Sequence, residues 1–227
     1  MSEIKVNSIV NSTGDGDSGM NLATNDQIIL KTANTTALTI NASQEVLIGS
    51  NIAKASGKET IWIPAGAMYP NSTAGCSALT QVELSNGPEL KVLDFDASSD
   101  EFAQFTVSFP KSWDEGTVTF QAFWTVTGTD TGTVAWALTG RGFADNAEIN
   151  HADGFPTAVV ATAKAFSGTT NDMTISAESG TLAILDRAVD TTTFFEISRF
   201  TSADTQTGDA RLIGIKLFFT TNAKNDS

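Results

Sequence analysis

Three short apolar runs recur early in the chain: Ile28-Ile29-Leu30, Leu38-Thr39-Ile40 and Val46-Leu47-Ile48. They lie about ten and eight residues apart, joined by Thr, Asn, Ala, Ser and Gly. Each is long enough for a minimal strand, in which alternate residues face one side. A meander this small is marginal in water by itself, so the runs need cover from a following domain or from further copies of the chain. A further strand is expected within residues 4–10, followed by a loop over 11–19 rich in Gly, Asp and Ser.

Past Lys58 the pattern changes. All four Trp, the single Tyr and all fourteen Phe lie beyond that point, which marks where a packed core forms. Period-two alternation is clear over 102–109, with Ala103, Phe105, Val107 and Phe109 on one face and Gln104, Thr106 and Ser108 on the other. Over 117–127 it places Val118, Phe120, Ala122, Trp124 and Val126 together, and over 133–139 Val134, Trp136 and Leu138. The Gly128–Gly132 segment between the last two reads as the turn of a hairpin. Residues 59–63, 79–84, 90–95, 172–176, 182–185, 193–200 and 210–220 read as further strands, the last with Ile213, Ile215, Leu217 and Phe219 on one side. Residues 157–166 fit a strand or a short helix. No helix of ordinary length is convincing. Strands at such spacing predict an all-β chain: an N-terminal region over 1–57, a strand-repeat stalk or arm, then a jelly-roll-like β-sandwich over 58–227.

Composition narrows the function. The net charge is −13, from 13 basic and 26 acidic residues, with no basic cluster to neutralise phosphates, so nucleic acid and anionic membrane surfaces are poor partners. Charged residues are only 17%, and 52 Ser and Thr supply much of the polar surface, as suits a half-exposed pleated sheet. The N-terminus, Met-Ser-Glu-Ile-Lys, has no apolar signal core, and no run reaches membrane-spanning length. The expectation is a chain made in a cytoplasm and not inserted in a membrane.

Chemistry is sparse. The single Cys76 has no thiol partner in the chain, and its default role is packing. With one His and one Cys an ordinary zinc site cannot be assembled. His151 lies in Asn-His-Ala-Asp without a nucleophile elbow anywhere in the sequence, and reads as an exposed loop residue. Asp94, Asp96 and Asp100 offer oxygens at spacings a calcium ion could use but lack the mid-loop Gly and bidentate Glu of a dedicated calcium loop, and Asp15 and Asp17 form a similar, weaker candidate. Solvated turns are the simpler reading. No catalytic residue and no cofactor are expected. Tyr69, Trp113 and His151 are candidate loop contacts for a receptor, with loops 65–78, 128–132 and 141–156 as the contact surface.

Several segments carry a resemblance: Lys58-Glu-Thr-Ile-Trp-Ile-Pro-Ala-Gly-Ala-Met68, Leu93-Asp-Phe-Asp-Ala97, Phe102-Ala-Gln-Phe105, Pro110-Lys-Ser-Trp-Asp-Glu-Gly-Thr-Val118 and Asp209-Ala-Arg-Leu-Ile-Gly-Ile-Lys-Leu-Phe-Phe219. Together they resemble a domain of structural proteins of tailed bacteriophages, often of marine bacteria. The region from Ile4 to Ile48 is similar to the entry region of phage fibre proteins. The resemblance implies a virion component and, for fibres and spikes, a homotrimer. Three copies wrapped round an axis would bury Ile28, Leu30, Leu38, Ile40, Val46 and Ile48 between chains, worth on the order of 9–18 kcal/mol per protomer before entropy is subtracted, and closure would remove free strand edges. The expected role is a non-enzymatic fibre or spike, joined to other virion proteins through its N-terminal region and contacting the host surface, with a cell-surface glycan as a candidate partner. A capsid decoration protein and a glycan depolymerase are the alternatives.

Overall fold

The structure is a computed structural model that describes residues 8–10, 19–21, 27–33, 35–42, 46–48, 51–52 and 57–222. Asp15, Asp17 and the 11–18 part of the expected first loop lie outside the described residues. The chain divides into two compact units, Met1–Ala55 and Ser56–Ser227.

The first unit is an antiparallel meander. Strands β1 (Ser8–Val10), β2 (Gly19–Asn21), β3 (Ile28–Thr32), β4 (Thr35–Ile40), β5 (Val46–Ile48) and β6 (Asn51–Ile52) pair in chain order. The three apolar runs are β3, β4 and β5. Their register places Ile28 opposite Ile40 and Ile40 opposite Val46, while Leu30 opposes Leu38 and Leu38 opposes Ile48. Directly opposed residues share a face, so these six positions fall on one side of the sheet. The other face carries Ile29, Thr39 and Leu47 by the same register. Ile28, Leu30 and Val46 are 39%, 38% and 37% exposed, and Leu38 and Ile40 are half-buried. All described strands of this unit belong to one sheet, so among the described residues there is one layer where stable domains bury an apolar face against a second.

The second unit holds strands β7 (Gly57–Pro64), β8 (Tyr69–Pro70), β9 (Thr80–Val82), β10 (Leu90–Phe95), β11 (Glu101–Val107), β12 (Thr119–Thr125), β13 (Thr133–Val134), β14 (Trp136–Phe143), β15 (Val159–Val160), β16 (Lys164–Ala165), β17 (Thr174–Ile175), β18 (Thr192–Arg199) and β19 (Ala210–Thr221). One sheet runs β17-β12-β19, and the far edge of β19 is shared by β10, which continues to β9, and by β7. The second sheet runs β15-β14-β18-β11-β8, and β13 and β16 make a small ribbon. The two sheets share one hydrophobic core, giving a β-sandwich of the jelly-roll type.

The period-two readings hold in this core. Ala103, Phe105, Val107 and Phe109 are buried from one sheet, and Val118, Phe120, Ala122, Trp124 and Val126 from the other. Val134, Trp136 and Leu138 are also buried. The expected hairpin of 117–127 with 133–139 does not form. β12 pairs with β17 and β19, while β14 pairs with β15 and β18. Both apolar faces are core faces, and the chain satisfies both by crossing from one sheet to the other. Ile213 does not share the face of Ile215, Leu217 and Phe219. Phe123 opposes Gly214 but Trp124 opposes Leu212, so Ile213 is the extra residue of a β-bulge and the alternation slips there. Residues 157–166 resolve into the short strands β15 and β16, and 182–185 contributes only single bridges at Leu182 and Leu185.

Two interior groups matter later. Arg199 is fully buried, and its guanidinium forks onto Asp204, with Nε to Oδ2 at 2.7 Å and Nη2 to Oδ1 at 3.0 Å. It also donates to the carbonyls of Phe95, Gly208 and Gln206. Cys76 is buried, and burial, with Glu101 and Asp94 nearby, pushes its thiol pKa up to about 12. At pH 8 only about one thiol in ten thousand is then ionised. Cys76 should therefore stay unlabelled by a thiol-disulfide reagent in the native protein and react at once in denaturant. Rapid stoichiometric labelling of the folded chain would contradict this.

Candidate functional site

The β15-β14-β18-β11-β8 sheet turns one face to the core and one outward. On β11, Gln104 points away from the buried Ala103 and Phe105; on β18, Phe194 and Glu196 point away from Phe195 and Ile197. Tyr69 opposes Gln104, Gln104 opposes Glu196, and Glu196 opposes Thr139. This outward row crosses β8, β11, β18 and β14, a span of about 14 Å at ordinary strand spacing. In the neighbouring row Phe194 opposes Arg141.

Glu196 organises the row. Its Oε2 accepts from Asn71 Nδ2 at 2.7 Å and from Gln104 Nε2 at 3.1 Å, while its Oε1 takes part in no side-chain hydrogen bond among the described residues. Both amides are thereby fixed in orientation.

Two loops wall the row. The first, carrying Tyr69 to Thr73, is tied to β11: Asn71 N donates to Phe102 O at 3.1 Å, Phe102 N to Ala74 O at 2.9 Å, and Cys76 N to Phe102 O at 3.2 Å. Gly75 makes this turn possible. A Cβ there would lie 2.0 Å from the Asn71 carbonyl oxygen, inside any allowed contact. Gly75→Ala should displace Asn71, cost about 1–3 kcal/mol of stability and loosen this wall. A thermal melt of the variant checks it, and an unchanged midpoint would refute it.

The second wall is the segment after β14. Thr139 Oγ1 donates to Pro156 O at 2.7 Å. Arg141, almost fully buried, donates through Nη1 to Gly154 O at 2.9 Å and through Nε to Asp186 Oδ2 at 2.9 Å, with Nη2 2.7 Å from the same oxygen. Gly154 adopts φ +58°, a left-handed conformation that favours glycine. Phe143 and Phe194 meet edge to face at 5.6 Å. His151 Nδ1 accepts from Asp153 N at 3.2 Å, which leaves the ring proton of the neutral form on Nε2.

Between these walls lie two cavities. One, of about 190 Å³, is lined by Gln104, Arg141, Phe143, Ile149, His151, Gly154, Phe155 and Phe194. The other, of about 260 Å³, is lined by Tyr69, Pro70, Asn71, Ser72, Thr73 and Gln104. Gln104 borders both, so they lie side by side on the outward face of the sheet as a two-part groove. It has apolar ends, amides and hydroxyls along its length, and no lining carboxylate.

Of the sequence candidates, Tyr69 (47% exposed) and His151 lie in the two cavities of this groove, and loops 65–78 and 141–156 supply its walls. Loop 128–132 does not line it; Asp130 instead accepts from Thr207 N and Oγ1 and its carbonyl from Gln206 Nε2. Trp113 is not a contact residue. It is 1% exposed and stacks on Phe109 at 4.1 Å. The chain turns at Pro110, whose carbonyl accepts from Trp113 N, and packing the ring into the core removes a large apolar surface from water. The three acidic candidates do not converge either. Asp94 pairs with Arg211 at 2.8 Å and raises the pKa of that guanidinium. Asp96 accepts from Ser98, which holds its carboxyl below the usual range. Asp100 accepts from Thr201 N and Oγ1, both at 2.7 Å. No cluster able to hold a metal is present among the described residues.

Asn71, Gln104, Glu196, Phe143, Phe155 and Phe194 are site residues that the sequence reading did not single out. The available signal was Phe194, an aromatic ring on the solvent side of an alternating strand. A second exposed aromatic surface lies on the other sheet, where Trp62 packs edge-on against Phe123 at 5.1 Å and Lys216 sits 5.3 Å from the Phe123 ring centre.

No family model matches the chain, and no curated protein matches it. Solved structures similar to it include the C-terminal CBM6 of LamC, a marine laminarinase from Zobellia galactanivorans, with 15% identity, TM-score 0.40, and coverage of 70% of this chain and 98% of that one. Another is the CBM22-1 xylan-binding domain of Xyn10C from Paenibacillus barcinonensis, with 10% identity, TM-score 0.41, and coverage of 75% and 99%. The arabinose-bound MgGH51 α-L-arabinofuranosidase matches at 13% identity and TM-score 0.41 over 68% of this chain, which spans only 23% of that enzyme.

Proposed function

We propose that this chain is a non-enzymatic attachment protein of a tailed-phage particle, with the β-sandwich unit as the head that contacts the host surface and the meander as the region that joins copies to one another and to the virion. The groove over Gln104 is the observation that carries the reading. Its two cavities border on Gln104, are walled by two loops and are braced by the Glu196 amide pair, as suits a ligand long enough to reach from one to the other. Glycoside cleavage takes two carboxylates flanking the scissile bond, whereas the groove lining carries none and the nearby Glu196 is engaged by two amides. The resemblance of the segments from Lys58 onward to phage structural proteins supports placement on a virion. Among the described residues the N-terminal strands form one sheet with Ile28, Leu30, Leu38, Ile40 and Val46 on one face, which supports joining of copies, and repetition over a particle multiplies weak contacts.

Immunogold labelling of particles that carry this chain should place it at a few sites on the tail, and the purified protein should block adsorption of those particles to their host. Label spread over the whole capsid in hundreds of copies, with adsorption unaffected, would overturn the attachment reading in favour of capsid decoration.

A further inference from the structure

We infer that the groove binds an uncharged saccharide chain laid across the strands from Tyr69 to the His151 wall, and that Glu196 is a positioning residue that both aims the recognition amides and turns acidic sugars away. The inference rests on the attachment reading for its biological setting, but it concerns the chemistry of the site alone.

A sugar ring presents C–H faces and a rim of hydroxyls. It therefore needs flat apolar surface together with neutral groups that donate and accept. The groove supplies both. Tyr69 offers an exposed ring at one end, and Phe155 and Ile149 offer apolar surface at the other. Between them lie the amides of Asn71 and Gln104, each giving one N–H to Glu196; the Asn71 carbonyl oxygen is buried, and the Gln104 carbonyl oxygen takes part in no side-chain hydrogen bond among the described residues. Ser72 and Thr73 add hydroxyls on the same wall. His151 Nε2 adds a donor on the opposite wall.

Charge decides the class of saccharide. The one cation in the lining, Arg141, is buried and its charge is already paired with the Asp186 carboxylate, with Gly154 O as a further acceptor, so it adds little net positive charge for an acidic ligand. Glu196 stands in the outward row beside Gln104 with its negative charge facing amides and no cation. A second negative charge placed about 7 Å away would be disfavoured roughly fiftyfold at an effective dielectric of about 20, which physiological salt screens to roughly five- to tenfold. The ligand class is a neutral polysaccharide rather than a sialylated or uronic-acid glycan.

The full-length protein is to be titrated calorimetrically against neutral oligosaccharides (β-glucan, mannan and xylan fragments) and against polygalacturonate and sialylated fragments of similar length. At least one neutral series should bind, with affinity rising with length until the groove is filled. Tyr69→Ala and Gln104→Ala should each weaken binding about tenfold. Glu196→Gln removes the charge and leaves one side-chain oxygen to accept from the two amides, so the ratio of neutral to acidic affinity should fall about tenfold. Trp62→Ala, on the other sheet, should change nothing.

Preferential binding of acidic glycans, unchanged discrimination in Glu196→Gln, or loss of binding in Trp62→Ala rather than Tyr69→Ala would each overturn the inference. No binding to any saccharide by a protein that still blocks phage adsorption overturns the saccharide inference and leaves attachment standing. Saccharide binding by a protein that fails to block adsorption overturns attachment and leaves the site.

Discussion

Replacing Arg199 with methionine lowers the melting temperature of the β-sandwich by about 10–15 °C. The guanidinium is 0% exposed and its partner Asp204 is 2% exposed, so the pair has left water entirely. Its desolvation is offset because every direction of the fork is used: two bonds go to the Asp204 carboxylate, and three go to the carbonyls of Phe95, Gln206 and Gly208. Those carbonyls belong to the end of β10 and to the 204–208 segment ahead of β19, so one side chain ties together strands from both sheets. Methionine keeps most of the volume but leaves a buried carboxylate without its cation and three carbonyls without that donor. Breaking one side of a buried pair in this way costs about 3–5 kcal/mol, and in a unit of this size each kcal/mol is worth about 2–4 °C. Lysine is not a rescue, because an ammonium cannot present the planar fork to Asp204 while reaching the carbonyls. Removing both charges, as Arg199→Met with Asp204→Leu, should recover part of the loss. Calorimetric melts of the two single variants and the double variant form the test, with Cys76 labelling as an independent reporter of opening. A shift under about 3 °C in Arg199→Met would show that the network is not a stability determinant.

That network is a fair measure of what sequence alone conveys here. The apolar alternations over 102–109, 117–127 and 133–139 identify their core faces because a strand's side-chain period is two whatever its partners are. Partnership is a different kind of information. The turn between 117–127 and 133–139 looks like a hairpin, but whether it closes one or crosses between sheets depends on which distant strand each half meets, and β19 and β18 are the winners. The bulge at Ile213 is equally silent locally, since Ile213 and Ile215 have the same chemistry and differ only in what lies opposite. The candidate site divides in the same way. Tyr69 and His151 were recognisable as chemistry-bearing loop residues. The groove that connects them needs Gln104, Glu196 and Asn71 to meet, and Asn71 and Glu196 lie 125 residues apart in the chain. Trp113 shows the converse error: a loop position suggests exposure, yet a large ring beside Pro110 gains more by folding into the core. Asp94, Asp96 and Asp100 read as a cluster along the chain, but each is drawn to its own partner once β10, β19 and the Thr201 turn are assembled.

On the proposed joining of copies through the meander, with three chains round one axis, Leu38→Asp should yield monomers while leaving the head folded. Leu38 holds the centre of the apolar face: Leu30 and Ile48 oppose it in one row, and Ile28, Ile40 and Val46 form the row beside it. Ile28, Leu30 and Val46 are exposed in the single chain, and among the described residues the unit has no second layer of its own to cover them. Packing the same face from three copies round one axis removes that surface from water, at about 25 cal/mol for each Å² buried. An aspartate at the centre would place three carboxylates near the axis, with no cation in either of the two rows. Each carries a desolvation penalty of several kcal/mol, so the dissociation constant should rise by several orders of magnitude. Leu47→Asp is the matched control, since Leu47 opposes Thr39 on the other face and the same charge there need not enter the packed side. Light scattering and native mass measurement at micromolar concentration should give three chains for the parent and for Leu47→Asp, and one chain for Leu38→Asp. Near-ultraviolet circular dichroism should be the same in all three, because Trp113, Trp124 and Trp136 lie in the core of the second unit. A parent protein that runs as a monomer, or a Leu38→Asp variant that remains a trimer, would remove the meander from the assembly of this protein.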